Sequence, residues 1–375
     1  MEVRNDRNGK TDKEAVMAYD ISEAKDLVIR AGKELLESGL IARTWGNISA
    51  RISDHQFVIS PSGLAYDSLT PDDIVTVNIE DGSYVGNVKP SSEKGVHAAA
   101  YRLRPDVNFV IHTHQDYATD LSVLGKTIVV PEVEADDAKA LGPIIPVAAY
   151  GLSSTRTLTR NVEKCIAQYP DSRAVLMRNH GPVCMGADYE DAFRIAHSLE
   201  KVCMNRFHNL VGGDLPPVDD PDYRLGKYSR IYHREIQEEF DEYYEIFRRQ
   251  SINCVIETGA PYIRQISAFG KGIVPYVDDL AQMTGIYIRC VPEEAGKETI
   301  ARALGGTCSA VLIKGKGAVC TGGSEEDAEA VLMVLDKSCQ AALLEKSGRH
   351  PKAVNPLGGI LENLVYTLKY SKLKG

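Results

Sequence analysis

Apolar residues recur at helical spacing between Ser22 and Leu40. Ala24, Leu27, Val28, Ala31, Leu35 and Leu36 form one stripe, which predicts an amphipathic helix with Ser22 as N-cap and Gly39 near its stop. The pattern then shortens. "NISARI", "QFVIS", "IVTVNI" and "EDGSYVG" are brief runs separated by turn residues, and they predict strands. "PSSEKGVHAAAYRLRPD" begins as a loop at Pro90 and Ser91, becomes a helix, and stops at Pro105. "NFVIHTHQ" predicts a buried strand, and "AVLMRNHGPVCMG" a pair of strands turning at Asn179 to Pro182. "DYEDAFRIAHSLEKVCMNRFHNLV" predicts a long helix.

The same patterns return later in the chain. "AVLMRNHGPVCMGADYEDAFRIAHSLEKVC" (Ala174 to Cys203) aligns without gaps on "AVLIKGKGAVCTGGSEEDAEAVLMVLDKSC" (Ala310 to Cys339). Upstream, "VIHTHQDYATDLSVLGKTIVVPEVEADDAKALG" aligns on "VIETGAPYIRQISAFGKGIVPYVDDLAQMTG". Two matched blocks in one order mark an internal duplication. The second copy begins near Ser251 and has no counterpart of residues 20–100, so the repeat is partial. Four segments follow: a flexible arm at 1–20, a complete unit at 21–213, a Pro-, Tyr- and charge-rich linker at 214–250 that ends as a helix, and the partial copy at 251–375.

Length and composition restrict what the chain does. Its 375 residues suffice for one large domain or two ordinary ones. A net charge of -9 argues against nucleic acid or an anionic membrane as the main partner. No apolar run reaches the roughly 20 residues of a spanning helix, and the polar N-terminus has no signal-like apolar core. Eight cysteines without a C-x-x-C pair, in apolar contexts such as Val183-Cys184-Met185, read as reduced residues of a cytoplasmic protein.

His112 and His114 lie at i and i+2 of a predicted strand, so both rings project from one face. Alone, the pair reads more readily as two polar residues at a strand end. His180, in "MRNHGPV", adds a third imidazole, and three imidazoles with an open position describe a catalytic zinc site. Glu93 in "KPSSEKGVH" is the candidate carboxylate, either a chemical group or an acid complementing its helix dipole. His97, four residues on, reads as packing. Three polar stretches precede the histidines: "RTWGNISAR", "ISPSGLAYDSL" and "KPSSE". Each offers hydroxyls, an amide and open backbone N–H groups, which can hold a phosphate without a Walker loop.

The order T-x-G-N-x-S-x-R, S-P-[ST]-G, K-P-S-S-E, H-x-H and N-H-G resembles the class II aldolase/adducin superfamily, from about Ile21 to Val211, and more weakly through the repeat from Ser251 to Ser347. Fuculose and rhamnulose phosphate aldolases and ribulose phosphate 4-epimerase belong to that superfamily. The resemblance implies a three-layer α/β/α fold around a mostly antiparallel sheet. It implies that His112, His114 and His180 bind zinc or another divalent ion (Mn2+, Co2+ or Fe2+), with Glu93 as both metal contact and acid/base. Thr44, Gly46, Asn47, Ser62, Gly63, Ser91 and Ser92 match the phosphate-binding set.

The implied reaction is aldol cleavage or formation in a phosphorylated ketose through an enediolate. Epimerases of the superfamily typically have aspartate where this chain has Glu93, which favours the aldolase branch. A dehydratase or decarboxylase of the same superfamily shares the metal site. An adducin-like binding module is the alternative of a different class; the intact ligand set opposes it in the first copy. The aldolase tyrosine expected near Val133 to Ala135 has no counterpart. In the second copy Glu257, Gly259 and Lys316 replace the three histidines, so that copy is expected to serve as scaffold. It would cap the first or form a pseudo-symmetric interface, with Tyr366 and Tyr370 of its tail closing over the site. The family habit further implies a homo-oligomer, dimer or tetramer.

Overall fold

The computed structural model describes residues 18–41, 45–131, 135–212, 223–305 and 308–367. Strand Phe109–His112 lies at the middle of a seven-stranded sheet, between Asn47–Arg51 and Gly181–Gly186. Beyond Asn47–Arg51 come Gln56–Ile59 and Val75–Asn78; beyond Gly181–Gly186 come Ala174–Met177 and Val147–Ala148. Only the last pair is parallel. Alternation along the strand decides the layers: Phe109 and Ile111 join one apolar cluster, Val110 the other. Helices Lys94–Leu103 and Arg156–Gln168 cover the Val110 face, while Ile21–Glu37, Asp116–Ser122 and Tyr189–Val211 cover the opposite one. The result is the expected α/β/α sandwich.

The second sheet runs Ser229–His233, Cys254–Thr258, Gly317–Gly322, Ala310–Ile313, Cys290–Val291. It reproduces, strand for strand and direction for direction, the last five strands of the first sheet, including the single parallel pair. The two outermost strands of the first sheet have no counterpart. Ser229–His233 stands where Asn47–Arg51 stands in the first copy, so the segment read as a linker contributes an edge strand. It also carries two short helices, Gln237–Glu242 and Tyr244–Phe247.

One apolar cluster runs through both halves. Helix Glu325–Lys346 of the second copy is buried along most of its length within it, in contact with Asp116–Ser122 and Tyr189–Val211 of the first. Burial on all sides explains why this helix lacks a polar face. The long helices of the two copies begin alike, with Asp188 accepting from Asp191 N–H and Ser324 from Asp327 N–H.

Three local expectations change. Asp20, rather than Ser22, caps the first helix by accepting from Ser22 N–H at 2.9 Å, because a carboxylate at that position reaches the exposed amide. "EDGSYVG" contains no strand, only a bridge between Tyr84 and Val77, since Asn78 and Asp81 side chains draw the backbone into a turn. Tyr19 and Asp20 are fixed to the body: Tyr19 N–H donates to Arg51 O, and its hydroxyl accepts from Tyr189 N–H.

Candidate metal centre

Each histidine reaches the site from a different backbone device. His112 ends the central strand, opposite Asn47 and Val183. His114 follows two residues beyond the regular strand. His180 sits in the turn between Ala174–Met177 and Gly181–Gly186, where Asn179 takes φ +66°. Glu93 immediately precedes helix Lys94–Leu103. All four side chains are buried, none more than 7% exposed.

Their reactive atoms converge. His112 Nε2 lies 3.0 Å from His114 Nε2 and 3.1 Å from Glu93 Oε2, and His180 Nε2 lies 2.9 Å from Glu93 Oε1. The outer nitrogens are each occupied: His112 Nδ1 by Pro182 O at 2.8 Å, His114 Nδ1 by Asp279 Oδ2 at 2.7 Å, and His180 Nδ1 by Asp278 Oδ2 at 2.6 Å. A carbonyl or carboxylate oxygen only accepts, so each neutral ring carries its proton on Nδ1 and turns a lone pair inward from Nε2. His180 Nε2 is buried with no well-aligned hydrogen-bond partner. Three inward lone pairs, one of them orphaned, beside a carboxylate fit a divalent cation held by three imidazoles. No other group of three or more candidate ligands occurs among the described residues.

Charge agrees with this. Burial opposes ionisation of Glu93, but the His180 and His112 rings outweigh it and hold the carboxyl well below the usual range. Burial also disfavours a charged His180, yet Asp278 and Glu93 raise its affinity for a proton well above that of a free imidazole. The site therefore attracts positive charge, supplied by a proton or by a metal ion.

The centre opens into a cavity of about 280 Å³. Gly46, Asn47, Ser62, Gly63, Ser91 and Ser92, the expected phosphate set, all line it; Thr44 lies outside the described residues. Two loops are zipped together to form this wall, through Ser62 N–H to Lys89 O and Ser91 N–H to Ser60 O, at 2.9 and 3.0 Å. Asn47 Nδ2 donates to Glu93 Oε2 at 3.1 Å. The opposite wall comes from the second copy: Asp279, Gln282, Leu361, Glu362, Val365 and Tyr366. Glu362 accepts from Ser153 N–H at 3.0 Å. Tyr366 lines the pocket as anticipated, while Tyr370 and Val133 lie outside the described residues.

His97 does more than pack. Its ring bridges Asn47 Oδ1 and Ser49 Oγ, so it orients the amide that faces Glu93. Spacing gave one signal, since Glu93 and His97 are four apart on one helix face. Asp278, Asp279 and Glu362 were not foreseen. In the second copy the place of the metal site is filled differently: Glu257 pairs with Lys297 at 2.8 Å, and Lys316 donates to Glu293 O.

Sandwich, buried imidazole triad and adjoining carboxylate together present a donor set that could hold a divalent cation. The family model described as the class II aldolase and adducin N-terminal domain matches residues 26–207 and again residues 204–343. The chain belongs to that family and carries a second, partial copy of its domain. It is 35% identical over 181 residues to a 5-deoxy-D-ribulose 1-phosphate aldolase of Bacillus thuringiensis, covering 48% of this chain and 82% of the relative. It is 34% identical over 185 residues to the L-fuculose phosphate aldolase of Escherichia coli K12, covering 49% of this chain and 83% of that one. A solved structure of an L-fuculose 1-phosphate aldolase aligns at 29% identity with a TM-score of 0.47, over 56% of this chain and 96% of its own.

Proposed function

We propose that the chain is a metal-dependent aldolase that cleaves or forms a C–C bond in a phosphorylated ketose. The observation that carries this reading is the joining, in one cavity, of three inward-facing imidazoles, a buried carboxylate and a wall of serine hydroxyls and glycine backbone. The similarity to two sugar-phosphate aldolases supports it.

His112, His114 and His180, with Glu93 beside them, would hold the cation, and zinc suits such donors, as do Mn2+, Co2+ and Fe2+. When bound, the cation supplies Lewis acidity to a ketose carbonyl and its neighbouring hydroxyl. Ser62, Ser91 and Ser92 offer hydroxyls, and Gly46 and Gly63 unblocked backbone, for the phosphate; they bind the remote end and align the reacting carbons. Glu93 moves the proton: on condensation its carboxylate would remove one from the carbon that becomes the enediolate. On cleavage it would take up the proton released from the hydroxyl that becomes the aldehyde oxygen, directly or through water, and return one to the enediolate carbon. Asn47 holds Glu93 Oε2 in place. Leu361, Val365 and Tyr366 cover the mouth and limit water.

All eight cysteines are free, which suits a reducing compartment such as the cytoplasm. No helix among the described residues is long and apolar enough to cross a membrane. Leu357, Ile360, Leu361 and Leu364 expose one apolar face of helix Pro356–Val365 beside the pocket, which supports a homo-oligomer.

The test is metal analysis of wild type and His112→Ala, coupled to a screen of ketose phosphates for triose phosphate release. The proposal expects metal in the wild type, little in the variant, and triose phosphate plus an aldehyde as products. Release of carbon dioxide or of a dehydrated product instead would overturn the aldolase assignment.

A further inference from the structure

The second copy has lost every metal ligand, yet it touches the metal site of the first at several points. Asp278 and Asp279 open helix Asp278–Thr284 and are 0% and 2% exposed. They meet His180 and His114 across 98 and 165 positions of chain. The backbone at these two histidines is gripped from the same side. Asn179 Nδ2 donates to Tyr276 O and Lys352 O at 2.7 and 2.6 Å, and Asn179 O accepts from Asp278 N–H at 2.9 Å. Lys337 Nζ donates to His114 O. His112, by contrast, is oriented from within the first copy, by Pro182 O.

The repeat sharpens this contrast. The first copy also has an aspartate pair, Asp136-Asp137, in the first turn of helix Ala135–Leu141, the counterpart of helix Asp278–Thr284. There Asp137 pairs with Lys201 of its own half at 2.8 Å. The same dipeptide thus binds a surface lysine in one copy and ring nitrogens of the other copy's histidines in the second.

We infer that Asp278 and Asp279 are positioning residues of the first copy's metal centre, so that the degenerate copy works as a built-in neighbour completing the site within one chain. The inference rests on the metal-centre reading above. Each carboxylate fixes the proton on Nδ1, the ring plane and hence the direction of the Nε2 lone pair. Without Asp279 the His114 ring is free to turn about its side-chain bonds or to exchange tautomer, and a misdirected or protonated Nε2 does not bind a cation. Asp278 acts in the same way on His180.

The experiment measures zinc affinity rather than turnover. Full-length wild type, Asp278→Ala, Asp279→Ala, the corresponding Asn variants and Asp137→Ala are stripped of metal, then titrated with zinc against a chromophoric chelator. Melting of each metal-free protein is recorded in parallel. Loss of such an outer-shell partner weakens metal binding by about 10- to 100-fold. That loss is expected for each Ala variant at positions 278 and 279. A smaller loss is expected for the Asn variants, whose amide oxygen still accepts from Nδ1, and no change for Asp137→Ala. A purely structural role would lower the melting temperature of the metal-free protein and leave the zinc affinity of the folded fraction untouched. If the Ala variants do not fold, the Asn variants carry the test through the visible spectrum of bound Co2+, which shifts when ligand geometry shifts. Folded variants with wild-type zinc affinity and an unchanged Co2+ spectrum overturn the inference alone. Wild-type protein that takes up no metal overturns the metal-centre reading and this inference with it.

Discussion

His97 Nε2 and Asn47 Oδ1 lie 2.5 Å apart, both side chains buried beside Glu93. An amide oxygen only accepts, so His97 carries its proton on Nε2 and its Nδ1 accepts from Ser49 Oγ at 2.6 Å. The bond also settles the orientation of Asn47, whose NH2 is thereby turned to Glu93. Burial and the nearby His112 ring push the His97 pKa down to about 3, so the imidazole stays neutral in any ordinary buffer. A fixed neutral donor is what a fixed amide needs.

His97→Leu removes that donor and leaves Asn47 Oδ1 without it, while Ser49 Oγ keeps only its bond to Tyr101 OH. A buried group so orphaned costs about 1–3 kcal/mol. The expected result is a lower urea midpoint together with a roughly tenfold lower kcat, because Asn47 no longer steadies Glu93. An unchanged kcat in a destabilised variant would confine His97 to packing.

Glu93→Gln keeps the shape of the side chain and removes its proton chemistry. Loss of a positioned acid/base costs about 10²–10⁴ in rate. The variant is expected to keep metal on its three histidines while kcat falls within that range. Exchange of the triose phosphate proton with solvent, followed by NMR, should fall in step. Retained exchange would assign the proton transfer to another group.

Gly46 takes φ +93°, and a Cβ placed there would lie 2.5 Å from His112 O. Gly39 has φ +70° with nothing within 4 Å of a Cβ. The two glycines separate backbone strain from collision. Gly39→Ala should cost only the left-handed backbone term, about 1 kcal/mol. Gly46→Ala should cost more and pry the Asn47–His112 strand pairing apart. Denaturant melts of both variants, with metal content, check this; equal losses would show that the strand end yields freely.

The expected strands and long helices were legible because their apolar periods are strong and both faces of the sheet are covered. The duplication was legible because both copies keep the same core, strand for strand. Ser229–His233 was not, since an edge strand with every residue at least partly exposed shows no apolar alternation. The triad, Glu93 and the serine wall followed from motif order. Asp278 and Asp279 did not, because a D-D pair after an apolar residue reads as an ordinary helix start. Only the fold brings that helix against His114 and His180. The pair Asp136-Asp137 in the first turn of the equivalent helix is the one hint the sequence offers.

Glu362 lies 6% exposed on helix Pro356–Val365, accepting from Ser153 N–H. Burial, with a further contribution from Asp278, pushes its carboxyl up to about 8, against an ordinary 4.5. The folded protein therefore keeps a proton on Glu362 that the unfolded chain releases between those two values. Unfolding is favoured as that proton is lost, so the docked helix is best held below about pH 4.5 and weakens as pH rises through 8. The slope from this one group has a ceiling of about 1.4 kcal/mol per pH unit. Glu362→Gln keeps an acceptor for Ser153 and cannot ionise, so its stability relative to wild type should rise between pH 5 and pH 8. Urea unfolding at the two pH values, with amide exchange of residues 356–365, gives the comparison. A constant difference between variant and wild type across that range would show that Glu362 is ionised in the folded protein.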